Sequence, residues 1–208
     1  DILAQAAETW NGEWYALGGG GTVWDAIVYD QILNQVYIGV GNGSPWNASV
    51  RSPGGGDNLF LSSIVAVDAD TGEYRWHYQT TPWETWDYTA TQPIMIVDLF
   101  INGQDRRVIM QAPKNGFFYV LDAENGELIS AEAFSTVTWA SGISIETGRP
   151  IEIAETRYDV TGEGKIVLPG PGGAHSWHPW SYNPETGLVY IPEMRSSFGY
   201  VADNDFSA

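Results

Sequence analysis

Apolar and polar residues alternate along this chain in short runs rather than recurring at helical spacing. Alternation with a period of two puts one set of side chains on each face of a strand. Strands are predicted on this basis at Ile64–Asp68, Tyr74–Tyr78, Arg107–Ala112, Phe117–Asp122 and Leu188–Pro192, and Val36, Ile38 and Val40 alternate in a further one. Only Ile2–Trp10 reads as a short helix or edge segment. The runs fall into a recurring phrase: a strand, an Asp or Asn, a Thr-Gly or Asn-Gly turn, then a second strand. It occurs at Ser63–Tyr78, Gly116–Ile129, Ser144–Ile153 and Ser181–Pro192, with a degenerate copy over Ala26–Val40. Each copy reads as a hairpin, in which the side chain before the turn folds back onto its own backbone and Gly supplies the positive φ. The Gly-rich stretches Gly18–Gly21, Pro53–Gly56 and Pro169–Gly173 read as loops.

Hairpins repeating in this way favour radially arranged four-stranded sheets over a sandwich, so the fold class is all-β, a β-propeller of about four blades filling residues 1–208. Composition agrees, with 24 Gly, 11 Pro and 10 Trp suiting many short strands joined by turns. The phrase Ala66-x-Asp68-x-x-Thr71-Gly72-x-x-x-Trp76 adds a Trp that can lie on the next blade and donate its indole N–H there. The pattern breaks off at Val201–Ala208, as in a segment of a longer protein.

Charge and composition then exclude several functions. The formal charge is −17, so no basic stripe exists for nucleic acid. The apolar runs Ile94–Val97 and Phe117–Leu121 are too short to span a bilayer. A hydrophobic fraction of 43% argues against disorder despite the charge. The absence of Cys removes thiol nucleophiles, thiolate zinc and disulfides from this chain.

Five segments carry candidate chemistry. In Gly20–Trp24, Trp24 follows a glycine turn and reads as a platform for a planar cofactor or as core, with the Thr22 hydroxyl free to donate. In Gly39–Asn47, Asn42 reads equally as a hard oxygen ligand for Ca²⁺ or as a residue that takes a positive-φ turn position. In Trp83–Thr91, aromatic neighbours would strip water from Asp87, raising its pKa or demanding a cation; the plainer reading is a solvated turn Asp. In Gln111–Leu121, Lys114 could polarise a carbonyl or be an exposed turn lysine. In Gly172–Trp180, Ser176 and Trp177 lie between His175 and His178; with His77 these histidines make a poor transition-metal set and read as loop packing.

Taken in order, the five segments and the Trp76 phrase resemble the eight-bladed quinoprotein alcohol dehydrogenases, which carry pyrroloquinoline quinone (PQQ). The resemblance runs from Thr9–Gly21 to the Pro184–Pro192 hairpin. It implies that Trp24 forms the floor beneath PQQ, that Thr22 helps hold it, and that Lys114 hydrogen-bonds the quinone oxygens. It implies Asn42 and Asp87 as ligands of Ca²⁺, with Asp87 as the catalytic base. Lanthanide-using relatives carry an Asp two residues after that base, where this chain has Thr89, which argues for Ca²⁺. Many relatives place an Asn where Ser176 stands, and Ser is a shorter donor. The resemblance further implies oxidation of a small primary alcohol to an aldehyde, a cytochrome c-type electron acceptor and a periplasmic setting. It places the family's remaining calcium ligand, a Glu, and its adjacent-cysteine disulfide before residue 1. Two rival readings are a non-catalytic propeller scaffold and a fragment without activity of its own; a scaffold needs the hairpins but not Asn42, Asp87 and Lys114 together.

Overall fold

The computed structural model describes residues 1–203, 205 and 206; Asn204, Ser207 and Ala208, part of the pattern at Val201–Ala208, lie outside the described residues. The chain opens with helix α1 (Ile2–Ala7), capped by Asp1, whose carboxylate accepts from Leu3 N. Strand β1 (Gly19–Gly20) follows, then β2 (Ile27–Asp30), β3 (Gln35–Gly39), β4 (Gly43–Ser44), helix α2 (Ala48–Arg51), β5 (Ser63–Asp68) and β6 (Tyr74–Gln79). Strands β7 (Ile94–Ile101), β8 (Gln104–Gln111), β9 (Phe117–Asp122) and β10 (Leu128–Ala133) come next. The last elements are β11 (Ala140–Ile143), β12 (Pro150–Glu152), α3 (Tyr158–Thr161), β13 (Lys165–Val167), β14 (Ser181–Asn183), β15 (Leu188–Tyr190) and β16 (Phe198–Tyr200).

Two antiparallel four-stranded sheets, β2-β3-β5-β6 and β7-β8-β9-β10, are complete propeller blades. The hairpins at Ser144–Ile153 and Ser181–Pro192 form only the two-stranded ladders β11-β12 and β14-β15, and β13 pairs with β16. The repeat phrase thus marks hairpins, which at the later repeats pair as two-stranded ladders among the described residues. One further correction is small. Gly18–Gly21 is not wholly loop, since β1 pairs with β4 through Gly19↔Ser44 and Gly20↔Gly43.

The hairpin turns follow the sequence logic closely. In the first, Asp68 Oδ1 accepts from Asp70 N and Thr71 N, and Gly72 N donates back to Asp68 O. Asp122 does the same with Glu124 N and Asn125 N, and Asn183 with Glu185 N and Thr186 N. The turn glycines Gly72, Gly126, Gly148 and Gly187 all have positive φ.

Blade one docks on blade two largely through Trp76. Its indole Nε1 donates to Ala123 O at 3.2 Å, and its ring lies against the second blade's turn, where a Cβ on Gly126 would fall 2.5 Å from Trp76 Cε3. Beside it Tyr37 Oη donates to Ala123 O at 3.0 Å, and Arg107 forms a two-pronged pair with the buried Asp30. Because blades stack face to face, β3 buries Tyr37 against blade two, while Gly39 packs on the backbone of Ala90 and Thr91. The Val36, Ile38 and Val40 face stays half-buried. Ile38 and Val40 instead line an apolar cavity of about 460 Å³ with Ala6, Trp10, Leu61 and Val65.

Candidate active site

The five segments meet in a continuous chain of contacts. Gly21 N donates to Asn42 O and Gly41 N to Thr22 O, so the Thr22–Trp24 segment runs alongside the Asn42 loop. Ala90 N donates to Val40 O, fastening the segment after Asp87 to the strand end before Asn42. Lys114 Nζ donates to Asp87 Oδ2 at 2.8 Å and to Asp87 O at 3.1 Å. Ala174 N donates to Lys114 O at 3.0 Å, and Gly173 lies so close to Lys114 Cγ that a Cβ would meet it at 2.5 Å.

The plainer readings of the candidate residues fail here. Asn42 is not among the residues with positive φ; its Nδ2 donates to Gly43 O, leaving Oδ1 without a protein donor among the described residues. Asp87 is the one that takes positive φ, at 67°, and its side chain is only 17% exposed. Lys114 is buried rather than an exposed turn lysine. Trp24 is no core residue, being 44% exposed, and Thr22 is exposed beside it. Ser176 is buried, while Trp177 is exposed and stacks on His178 with ring centroids 4.4 Å apart. Among the described residues, no side-chain hydrogen bond ties Ser176 or Trp177 to Asn42, Asp87 or Lys114. His175 packs between loops, with its two ring nitrogens against Ala112 O and His178 O, whereas His77 lies in strand β6 with its Nδ1 2.8 Å from Tyr74 Oη.

The loop around Asp87 is irregular yet buried, so its backbone groups need partners. Side chains supply them for six consecutive carbonyls. Arg157 donates to Trp83 O, Arg51 to Glu84 O, Tyr158 Oη to Thr85 O and Tyr200 Oη to Trp86 O. Lys114 donates to Asp87 O and Ser62 Oγ to Tyr88 O. Glu84 itself is fully buried; its Oε2 accepts from Gly43 N at 3.3 Å and its Oε1 from Tyr88 N at 2.9 Å. Burial pushes the Glu84 carboxyl up to about 7 against the pull of Arg51. Burial also raises Asp87, with Lys114 and the Trp46 indole pulling the other way without cancelling it. Sequence reasoning missed Glu84, Arg51 and Trp46, although Trp46 lies inside the Gly39–Asn47 segment and Glu84 inside Trp83–Thr91.

A half-buried carboxylate, a buried ammonium bonded to it and an amide oxygen without a protein donor are groups that could serve a hard cation or a proton transfer. No three His, Asp or Glu side chains cluster as a ready-made metal cage among the described residues. Residues 2–137 match the family described as "PQQ: Glucose/ethanol/alcohol dehydrogenase, beta-propeller domain". This chain belongs to that family. Among members of the PQQ propeller family, it is 60% identical over 191 residues to quinohemoprotein alcohol dehydrogenase ADH IIB of Pseudomonas putida, covering 91% of this chain and 27% of that protein. The solved quinohemoprotein alcohol dehydrogenase of Comamonas testosteroni superposes with a TM-score of 0.95 at 52% identity, covering 100% of this chain and 31% of that one. A europium-containing methanol dehydrogenase superposes with a TM-score of 0.82 at 40% identity, covering 89% and 32%. The chain thus spans a little over a quarter of the length of the curated relatives it matches, at 27%.

Proposed function

We propose that this chain supplies one wall of the active site of a PQQ- and Ca²⁺-dependent alcohol dehydrogenase that oxidises a primary alcohol to an aldehyde. The observation that carries the reading is the largely shielded Asp87–Lys114 pair, 2.8 Å apart, beside the loop that holds Asn42. The names of the relatives support the reaction class, and two of them are quinohemoproteins, which supports a cytochrome c-type acceptor. A periplasmic setting is part of the same reading.

The residues present suit both groups. Asn42 Oδ1 and the Asp87 carboxylate are hard oxygen donors of the kind a Ca²⁺ ion takes, and further ligands would come from elsewhere in the enzyme. Trp24 offers an exposed aromatic surface to a planar ring, with Thr22 next to it. Ser176 and Trp177 belong to the same proposed wall through their segment's contact with Lys114. PQQ, when bound, supplies the two-electron acceptor for the hydride from the alcohol carbon. Asp87 takes the hydroxyl proton as general base, a role its raised carboxyl suits by holding protons more firmly than an exposed Asp. Lys114, released in part from Asp87, donates toward negative charge developing on the cofactor side. Calcium is preferred over a lanthanide because Thr89 brings no second carboxylate; its buried hydroxyl accepts from Thr91 Oγ1 and Gln92 Nε2.

The test is reconstitution of the full-length enzyme with PQQ and Ca²⁺, followed by dye-linked oxidation of primary alcohols. Wild type turns over, and Asp87→Ala loses turnover while still binding PQQ by its absorbance. Turnover surviving in Asp87→Ala, or its absence in wild type, defeats the proposal.

A further inference from the structure

Two loops far apart in sequence must be held in register if Asn42 and Asp87 are to share one ion. One side chain connects them through the backbone directly after each ligand residue. Glu84 Oε2 accepts from the backbone N–H of Gly43, the residue after Asn42, and Glu84 Oε1 accepts from that of Tyr88, the residue after Asp87. One carboxylate therefore fixes the backbone just beyond both proposed ligands. We propose that Glu84 is a positioning residue that sets the separation of Asn42 and Asp87 and thereby the affinity of the metal site; this rests on the reading of those two residues as the metal pair.

The surroundings of Glu84 favour this role over simple loop packing. Its carboxylate lies wholly away from solvent, where an anion is costly, although a neutral acceptor would satisfy one N–H as well. Only a carboxylate accepts with both of its terminal atoms; in Gln one of them is an NH₂ that would face a backbone N–H. Arg51 braces the same junction from the other side. Its Nη1 donates to Pro45 O and Trp46 O, its Nη2 to Glu84 O, and a Cβ on Gly43 would fall within its guanidinium. The Asn42 loop is thus gripped between Arg51 and Glu84, and the Asp87 loop is pinned at each carbonyl from Trp83 to Tyr88. Arg51 and the Ala90 N to Val40 O bond also tie the loops together, but the Glu84 bridge is the contact that holds the residue after Asn42 and the residue after Asp87 by one carboxylate. It acts as the outer-shell partners of metal ligands do, whose loss costs about 10- to 100-fold in metal affinity.

The experiment titrates full-length apo-enzyme with Ca²⁺, and separately with La³⁺, by calorimetry in the presence of PQQ, and records the thermal midpoint of the metal-free protein. Glu84→Gln is expected to weaken metal binding about 10- to 100-fold, with the metal-free midpoint close to wild type. A merely structural Glu84 gives the opposite pattern, a lowered midpoint with unchanged affinity, and overturns the proposal. Should Glu84→Gln fail to fold, Glu84→Asp decides. It keeps the charge near Arg51 but shortens the reach by one methylene, so its affinity should also fall, and wild-type affinity in this variant overturns the proposal. Asn42→Ala separates the two layers of the argument. If it weakens binding and the Glu84 variants do not, the positioning role alone falls; if none of the variants changes affinity, the metal reading falls with it.

Discussion

Adding one methyl group to the turn of the second blade should damage the protein far more than adding it to the same turn of the first. Gly72 and Gly126 occupy equivalent hairpin positions with φ of 72° and 75°. An alanine at either site suffers the left-handed backbone cost of about 1–2 kcal/mol. At Gly72 that is the whole effect, since nothing lies within 4 Å of an added Cβ. At Gly126 the Cβ would stand 2.5 Å from Trp76 Cε3 and 2.8 Å from Cδ2, so the indole must lift from its seat and strain its bond to Ala123 O. Crowding of this kind adds about 1–3 kcal/mol, giving about 2–5 kcal/mol for Gly126→Ala. Denaturant unfolding of the full-length enzyme, followed by tryptophan fluorescence, measures both. Trp76→Leu supplies the control: in that background Gly126→Ala should cost only the shared backbone amount. Equal costs for Gly72→Ala and Gly126→Ala in the wild-type background would refute the account of blade docking.

Two further outcomes follow from the charges. Hydrogen bonding to Arg149 outweighs burial and holds Asp57 below the ordinary carboxylate value, while burial of Asp30 is overcome by Arg107 and two backbone N–H donors. Both carboxyls sit lower in the folded than in the unfolded chain. Their stabilisation is complete above the unfolded value near 4 and is lost as pH falls through the folded values. Thermal midpoints should drop between pH 5 and pH 2, and Asp30→Asn should flatten that acid limb while lowering stability at pH 7. Thr89→Asp should raise the ratio of La³⁺- to Ca²⁺-activated turnover by on the order of tenfold, because a trivalent ion gains more from an added carboxylate. An unmoved ratio, or wild type already preferring La³⁺, removes the argument from Thr89.

What the sequence disclosed is local, and what it concealed is distant. Asp68, Asp122 and Asn183 each bond backbone N–H groups two and three residues on, so the turns can be read from a tetrapeptide. Trp76 could be assigned an inter-blade role because its partner is another copy of the repeat. How many strands each repeat pairs is not legible in the same way, since the later hairpins look alike in sequence but pair as two-stranded ladders among the described residues. Asp87 and Lys114 could be nominated from aromatic flanks and family order, but their 2.8 Å bond spans 27 positions that no periodicity relates. Glu84 was invisible for the same reason. It stands in a turn-like stretch where Glu is ordinarily solvated, and its meaning comes from Gly43, 41 residues earlier. Asn42 shows the reverse, since the sequence left its φ open and the backbone excludes the positive-φ reading.

In the intact enzyme Asn42, Asp87 and Lys114 should face one cofactor and one ion. A crystal structure of the full-length enzyme loaded with PQQ and Ca²⁺ tests this most directly. The ion should lie about 2.3–2.6 Å from Asn42 Oδ1 and from an Asp87 carboxylate oxygen. Lys114 Nζ should reach the cofactor, and the Trp24 ring should lie flat beneath it. An ion held by other residues, with Asp87 still bonded only to Lys114, would contradict the assignment.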